Sequence, residues 1–129
     1  MSTILIIDDE LPTLQMLSLY LEACGHNVLT AENETQGLEV FKREQPPIVL
    51  TDIKMPGRDG LDVLRQIKSL SPKTEVVVIT GHGDKALAQQ ALDLKASAFF
   101  NKPLDTEALD RAIQEIEQRL TQPSPGSGK

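Results

Sequence analysis

At 129 residues, 40% of them hydrophobic, the chain is long enough for one ordinary domain with a real core. A formal net charge of −6 with no basic stripe excludes a free-standing nucleic-acid binder. The longest apolar runs, 4–7 and 76–79, fall far short of the ~20 residues of a membrane span.

Thr3–Ile7 reads as a first strand ending in Asp8-Asp9-Glu10. Pro12 suits the first turn of a helix in which Leu14, Leu17, Leu21 and Cys24 repeat at helical spacing, and Gly25 stops it. Asn27–Ala31 is a short second strand. Asn33 caps a second helix with Leu38 and Phe41 on its apolar face, ending before Pro46-Pro47. Residues 48–51 form a third strand, an apolar run that stops at the carboxylate of Asp52. The loop 54–60 has turn composition, and Leu61, Leu64 and Ile67 mark a third helix closed by Ser71-Pro72.

Glu75–Thr80 is the fourth strand, broken by Gly81-His82-Gly83-Asp84. A fourth helix, 85–95, has only Leu87, Leu92 and Leu94 as large apolar residues, so weak packing and high mobility are expected of it. Residues 98–100 form the fifth strand, followed by Asn101-Lys102-Pro103. Asp105 or Thr106 caps the last helix, which carries Leu109, Ala112, Ile113, Ile116 and Leu120 on one face. Domain organisation follows: one folded unit over 1–121, then a Pro-, Ser- and Gly-rich flexible tail or linker start over 122–129.

Five β-α repeats imply an α/β fold with a parallel sheet covered on both faces. The less apolar second and fifth strands belong at the edges, which predicts a flavodoxin-like, doubly wound sheet of order 2-1-3-4-5. Ligands bind such sheets beyond the carboxyl ends of the strands, where strand order reverses. Here that point lies between the first and third strands, so Asp8, Asp9 and Asp52 converge there. Three carboxylates repel unless a cation joins them, and Mg²⁺ suits such oxygen ligands. Thr80 and Lys102, at the ends of the fourth and fifth strands, bring a hydroxyl and an ammonium to the same cleft. A carboxylate nucleophile, a metal, a hydroxyl and an ammonium together suit phosphoryl transfer, which is mostly positioning and charge neutralisation.

The motifs Ile7-Asp8-Asp9-Glu10, Thr51-Asp52-Ile53-Lys54-Met55-Pro56-Gly57-Arg58-Asp59-Gly60, Val78-Ile79-Thr80-Gly81-His82 and Phe99-Phe100-Asn101-Lys102-Pro103, in this order, resemble a response-regulator receiver domain over about 4–120. The resemblance implies that Asp52 is phosphorylated by a histidine kinase or a phosphotransfer protein. It implies that Asp9, Asp52 and the backbone carbonyl of Lys54 hold Mg²⁺, for which Mn²⁺ can substitute, with Asp8 assisting through water. Lys102 would pair with the acceptor carboxylate and then the phosphoryl group, and Thr80 would hydrogen-bond a phosphoryl oxygen. The Lys102–Pro103 bond would be cis. Phe99 matches the family's switch aromatic. Lacking a tyrosine hydroxyl, it is expected to populate an inward position even without phosphate. The fourth helix, fifth strand and last helix would form the readout surface for an effector or a second copy of the chain. The domain would be a regulatory phosphoacceptor that assists its own phosphorylation and dephosphorylation.

Lys54 and His82, each two places beyond a site residue, are expected at the cleft mouth, where they would control water's approach and the phosphate lifetime. The single cysteine, Cys24, forms no internal disulfide and fits a reducing cytoplasm, and no signal peptide is expected, since the first residues lack a basic stretch followed by an apolar one. His26 and His82 lack partners at zinc-ligand spacing. A haloacid-dehalogenase-type phosphohydrolase also uses aspartate, Mg²⁺, Thr or Ser, and Lys. It usually has a second aspartate two residues after the nucleophile, where this chain has Lys54. A receiver-like domain that works without phosphorylation is the other alternative, and the intact acidic set argues against it.

Overall fold

The computed structural model describes residues 2–52, 61–81, 85–102 and 104–121. The expected loop 54–60 and tail 122–129 lie outside them. The elements alternate throughout: β1 (Thr3–Ile7), α1 (Leu11–Ala23), β2 (Asn27–Ala31), α2 (Glu34–Glu44), β3 (Ile48–Asp52), α3 (Leu61–Leu70), β4 (Glu75–Thr80), α4 (Lys85–Asp93), β5 (Ala98–Asn101) and α5 (Thr106–Thr121). The five strands are parallel and ordered β2-β1-β3-β4-β5, as the sequence predicts.

Alternation along the strands divides the core in two. Ile4 and Ile6 of β1, with Ile48, Leu50, Val77 and Ile79, meet α1 through Leu14, Leu17 and Leu21 and α5 through Leu109, Ile113 and Ile116. Leu5 and Ile7, with Val49, Val76 and Val78, turn to the other face and meet α2, α3 and α4. Each fully buried Leu or Ile contributes about 1.5–3 kcal/mol of transfer free energy, so the two apolar layers dominate the stability of the sheet. Every residue of β3 is buried, whereas β2 and β5 are largely half-exposed edges.

Helix ends follow local chemistry. The Asn33 side chain accepts a hydrogen bond from the Gln36 N–H at 2.8 Å, and Asp105 Oδ1 accepts from the N–H groups of Glu107 and Ala108, so Asp105 and not Thr106 caps α5. Gly25, at φ +97°, closes α1: the His26 N–H donates to the Leu21 carbonyl and the Gly25 N–H to that of Glu22. Lys95, at φ +73°, closes α4 in the same way, so the helix stops at Asp93 rather than running through 95.

Two expectations are corrected by packing. Cys24 is exposed, because α1 ends at Ala23 and the buried stripe ends with Leu21. Leu120 is 40% exposed at the last turn of α5, beyond the reach of the sheet, and Ala112 is half-buried. In α4, Leu92 is 48% exposed and Leu87 is half-buried, as is Leu94 just past the helix end; Ala91 is the one fully buried residue among the described side chains of the helix. The thin apolar face expected of α4 is therefore present.

Candidate functional site

The carboxyl ends of β1 and β3 are adjacent, since Ile7 pairs with Thr51. Asp8 follows β1 directly and Asp52 is the last residue of β3, one residue beyond the expected strand end. Both are buried, at 2% and 3% exposure. Carboxylates this buried need compensation. Asp8 Oδ1 accepts the Glu10 backbone N–H at 2.8 Å, which folds residues 8–10 into a tight turn.

Lys102 supplies the countercharge. Its backbone N–H donates to the Thr80 carbonyl at 2.8 Å, extending the β4–β5 ladder one residue past Asn101. Its side chain then crosses the ends of the strands. The ammonium donates to Asp52 Oδ2 at 2.9 Å, to Asp8 Oδ2 at 3.3 Å, and to a Glu10 carboxylate oxygen. Burial works against the Lys102 charge, but the hydrogen bonds to Glu10 and Asp52 and the charges of Asp52 and Asp8 outweigh it. The ammonium is thus held well above the usual lysine range. For Asp8, burial pushes the carboxyl above its ordinary value; the Glu10 N–H and Lys102 oppose this, and the Asp52 charge adds to it.

Thr80 is 1% exposed and ends β4. Ile79 is the register partner of Asp52, so Thr80 stands one residue beyond it on the neighbouring strand. Phe99, on β5 opposite Val78, is half-buried and, like Leu87 of α4, packs against the core layer that includes Val76, Val78 and Ala91. Lys54, His82 and the Lys102–Pro103 bond lie outside the described residues.

The cluster differs from the expected acidic trio in one member. Ligand atoms of Asp8, Glu10 and Asp52 lie within 4.8 Å of one another, whereas Asp9 is exposed and is not in that group. Glu10 belongs to the Ile7-Asp8-Asp9-Glu10 motif, in which the resemblance implies no role for it. The signal was available: it sits where a helix-capping side chain belongs, and a glutamate is not a favoured cap there. Three carboxylates against one ammonium leave two negative charges in an oxygen-rich cleft with Asp8 and Asp52 buried and Glu10 at its exposed rim, a donor set that fits Mg²⁺.

The family model for the response regulator receiver domain matches residues 4–114. The chain is 31% identical over 111 residues to the sporulation initiation phosphotransferase F of Bacillus subtilis (strain 168), covering 86% of this chain and 90% of that protein. It is 33% identical over 124 residues to the transcriptional regulatory protein GlrR of Escherichia coli (strain K12), covering 96% of this chain and 27% of the relative. The chain thus spans about a quarter of the length of that longer regulator. A crystal structure of a response regulator receiver domain protein from Clostridium thermocellum superposes with a TM-score of 0.87 at 39% identity, covering 92% of this chain and 96% of that one. A matched family model, relatives of two different lengths and a shared fold agree with the strand-end cluster, and the chain belongs to the response regulator receiver domain family.

Proposed function

We propose that this receiver domain is a phosphoacceptor in a two-component phosphorelay, with Asp52 as the residue phosphorylated. The observation that carries the reading is Lys102 joined to both buried carboxylates, Asp8 and Asp52, at the switch point of the sheet. An Asp52 carboxylate oxygen attacks the phosphorus of a phosphohistidine on a histidine kinase or phosphotransfer protein. The P–N bond breaks, the imidazole leaves with its electron pair and takes a proton, and an aspartyl phosphate remains. Lys102 and the Thr80 hydroxyl stabilise the charge on the phosphoryl oxygens. Mg²⁺ or Mn²⁺ would be held by Asp52 with Asp9 and the Lys54 carbonyl, Asp8 assisting, once the exposed Asp9 side chain turns toward the group formed by Asp8, Glu10 and Asp52, and would supply further positive charge. Water later attacks the same phosphorus, breaks the acyl P–O bond and returns the carboxylate with inorganic phosphate.

In this reading the protein is a regulator acting on itself, not an enzyme for outside substrates. Phosphorylation draws Thr80 toward the new oxygens, Phe99 fills the space vacated, and α4, β5 and α5 present the altered face to an effector or a second copy. β5 is the edge strand with α4 against one face and α5 against the other, which suits it to carry such a change. Residues 1–121 act as the receiver unit in the cytoplasm, with 122–129 as tail or linker start. Lys54 and His82 set the phosphate lifetime; alanine at either position is expected to change the half-life, and unchanged half-lives would remove that role.

Incubation with acetyl phosphate and Mg²⁺ followed by intact mass measurement tests the core of the reading. One labile phosphate, absent from D52N, is expected. Continuous turnover of acetyl phosphate or another small ester without an accumulated phosphoprotein would favour a phosphohydrolase. No reaction, with a phosphohistidine donor as well, would favour a receiver-like domain that works without phosphate.

A further inference from the structure

We infer that Glu10 is a positioning residue for Lys102: it is the releasable partner that holds the ammonium in the resting protein and slows its transfer to an incoming phosphoryl group. The inference rests on the phosphoacceptor reading above.

Three observations converge on it. The first is donor supply. An ammonium has three N–H donors, and Lys102 meets three carboxylates, Asp8, Glu10 and Asp52. A phosphoryl oxygen can be bonded only after one of them is given up. The second is exposure. The side chains of Asp8 and Asp52 are 3% and 4% exposed, whereas that of Glu10 is 60% exposed. Water can replace Lys102 at Glu10, but neither buried carboxylate has that substitute. Glu10 is therefore the partner released at least cost.

The third observation is where Glu10 sits. It occupies the N-cap of α1, yet its side chain makes no capping hydrogen bond. The turn fixed by Asp8 Oδ1 on the Glu10 N–H aims the side chain back over the strand ends instead. A position that favours Ser, Thr, Asp or Asn for helix stability is thus occupied by a side chain long enough to reach a lysine 92 residues away. Its negative charge, at the exposed rim of the same cleft, would also repel a dianionic phosphodonor.

The test uses the full chain, with wild type, E10Q, K102A and the double variant, all at saturating Mg²⁺. E10Q is expected to take phosphate from acetyl phosphate about three- to tenfold faster than wild type, the scale of removing one unit charge several ångström away in partly aqueous surroundings. In the K102A background, E10Q should bring no acceleration beyond the small effect of lost repulsion. A second readout needs no phosphate: in ¹⁵N-lysine spectra of the resting protein, E10Q should speed exchange of the Lys102 ammonium protons with water. E10S, which supplies a capping hydroxyl, should behave as E10Q with a raised Tm, so a folding defect in E10Q would not obscure the result. An E10Q rate equal to or below wild type, equal acceleration with and without Lys102, or unchanged ammonium exchange would each overturn the inference. Failure of wild type to become phosphorylated at all would instead sink the phosphoacceptor reading, while the exchange measurement would still decide whether Glu10 holds Lys102.

Discussion

Lys102 and Asp52, fifty positions apart in the chain, meet at 2.9 Å across the ends of three strands. The contact depends on backbone registry. Thr80 pairs with Asn101, the Lys102 N–H then bonds the Thr80 carbonyl, and the side chain is launched over β4 toward β3. Lys102→Met keeps the aliphatic stem and removes the charge. It is expected to slow phosphorylation of Asp52 about 10²–10³-fold, as for loss of one donor to a developing oxyanion. Acetyl phosphate kinetics by intact mass measures this; a change under threefold would remove Lys102 from the chemistry.

Divalent cation should stabilise the fold, because two negative charges remain uncompensated among Asp8, Glu10, Asp52 and Lys102. A ligand at one hundred times its Kd adds about 2.7 kcal/mol, so Mg²⁺ should raise Tm by several degrees over chelator. Asp52→Asn should blunt that rise. Scanning calorimetry with Mg²⁺ and with EDTA decides it, and equal Tm values would argue against a cation in this cleft.

Gly37 of α2 lies so close to Ile7 that a Cβ there would stand 2.5 Å from Ile7 Cδ1 and 2.9 Å from its Cγ1. Ile7 is fully buried and cannot swing aside. Gly37→Ala should therefore cost about 1–3 kcal/mol despite the better helix propensity of alanine. Ile7→Val removes the nearest methyl, so the double variant should recover part of the loss. Urea unfolding of the four proteins gives the coupling, and strict additivity would mean that the helix shifts freely.

At the opposite end of the sheet, Glu75 accepts hydrogen bonds from Ser97 Oγ at 2.6 Å and from Arg119 at 2.8 Å, tying β4 to α5 and to the turn before β5. Burial raises its carboxyl, but Ser97, Arg119 and the charge of Lys68 outweigh it, so the folded protein holds Glu75 below its ordinary 4.5. A carboxyl depressed on folding contributes stability above its unfolded value and loses it as pH falls through its folded value. Wild type should thus lose stability below about pH 4.5 more steeply than Glu75→Gln. Urea midpoints from pH 7 down to pH 3 would show the two curves converge; parallel curves would contradict the shift.

Much of this fold is legible locally. Asn33 caps its helix and Gly25 ends its own by bonds within a few residues, so sequence alone places both. The edge strands β2 and β5 follow from weaker apolar runs, and the strand order follows from them. Cys24 continues the helical spacing on paper, but α1 ends at Ala23 and leaves Cys24 as an exposed cap. The end of α4 was two residues early because Lys95 takes a left-handed conformation that a lysine does not advertise.

The candidate site divides in the same way. The order of polar residues at strand ends is a one-dimensional pattern, and the parallel topology it implies brings Asp8, Asp52, Thr80 and Lys102 to one end of the sheet. The sequence therefore determined the elements, their order and the neighbourhood of the chemistry. Which carboxylates share the Lys102 ammonium was decided only in three dimensions, where a turn closed by Asp8 aims Glu10 inward and leaves Asp9 exposed. The physical reason is range: caps and strand patterns are set by bonds a few residues long, whereas the partners of a flexible side chain depend on distances between segments that meet only once the sheet has closed.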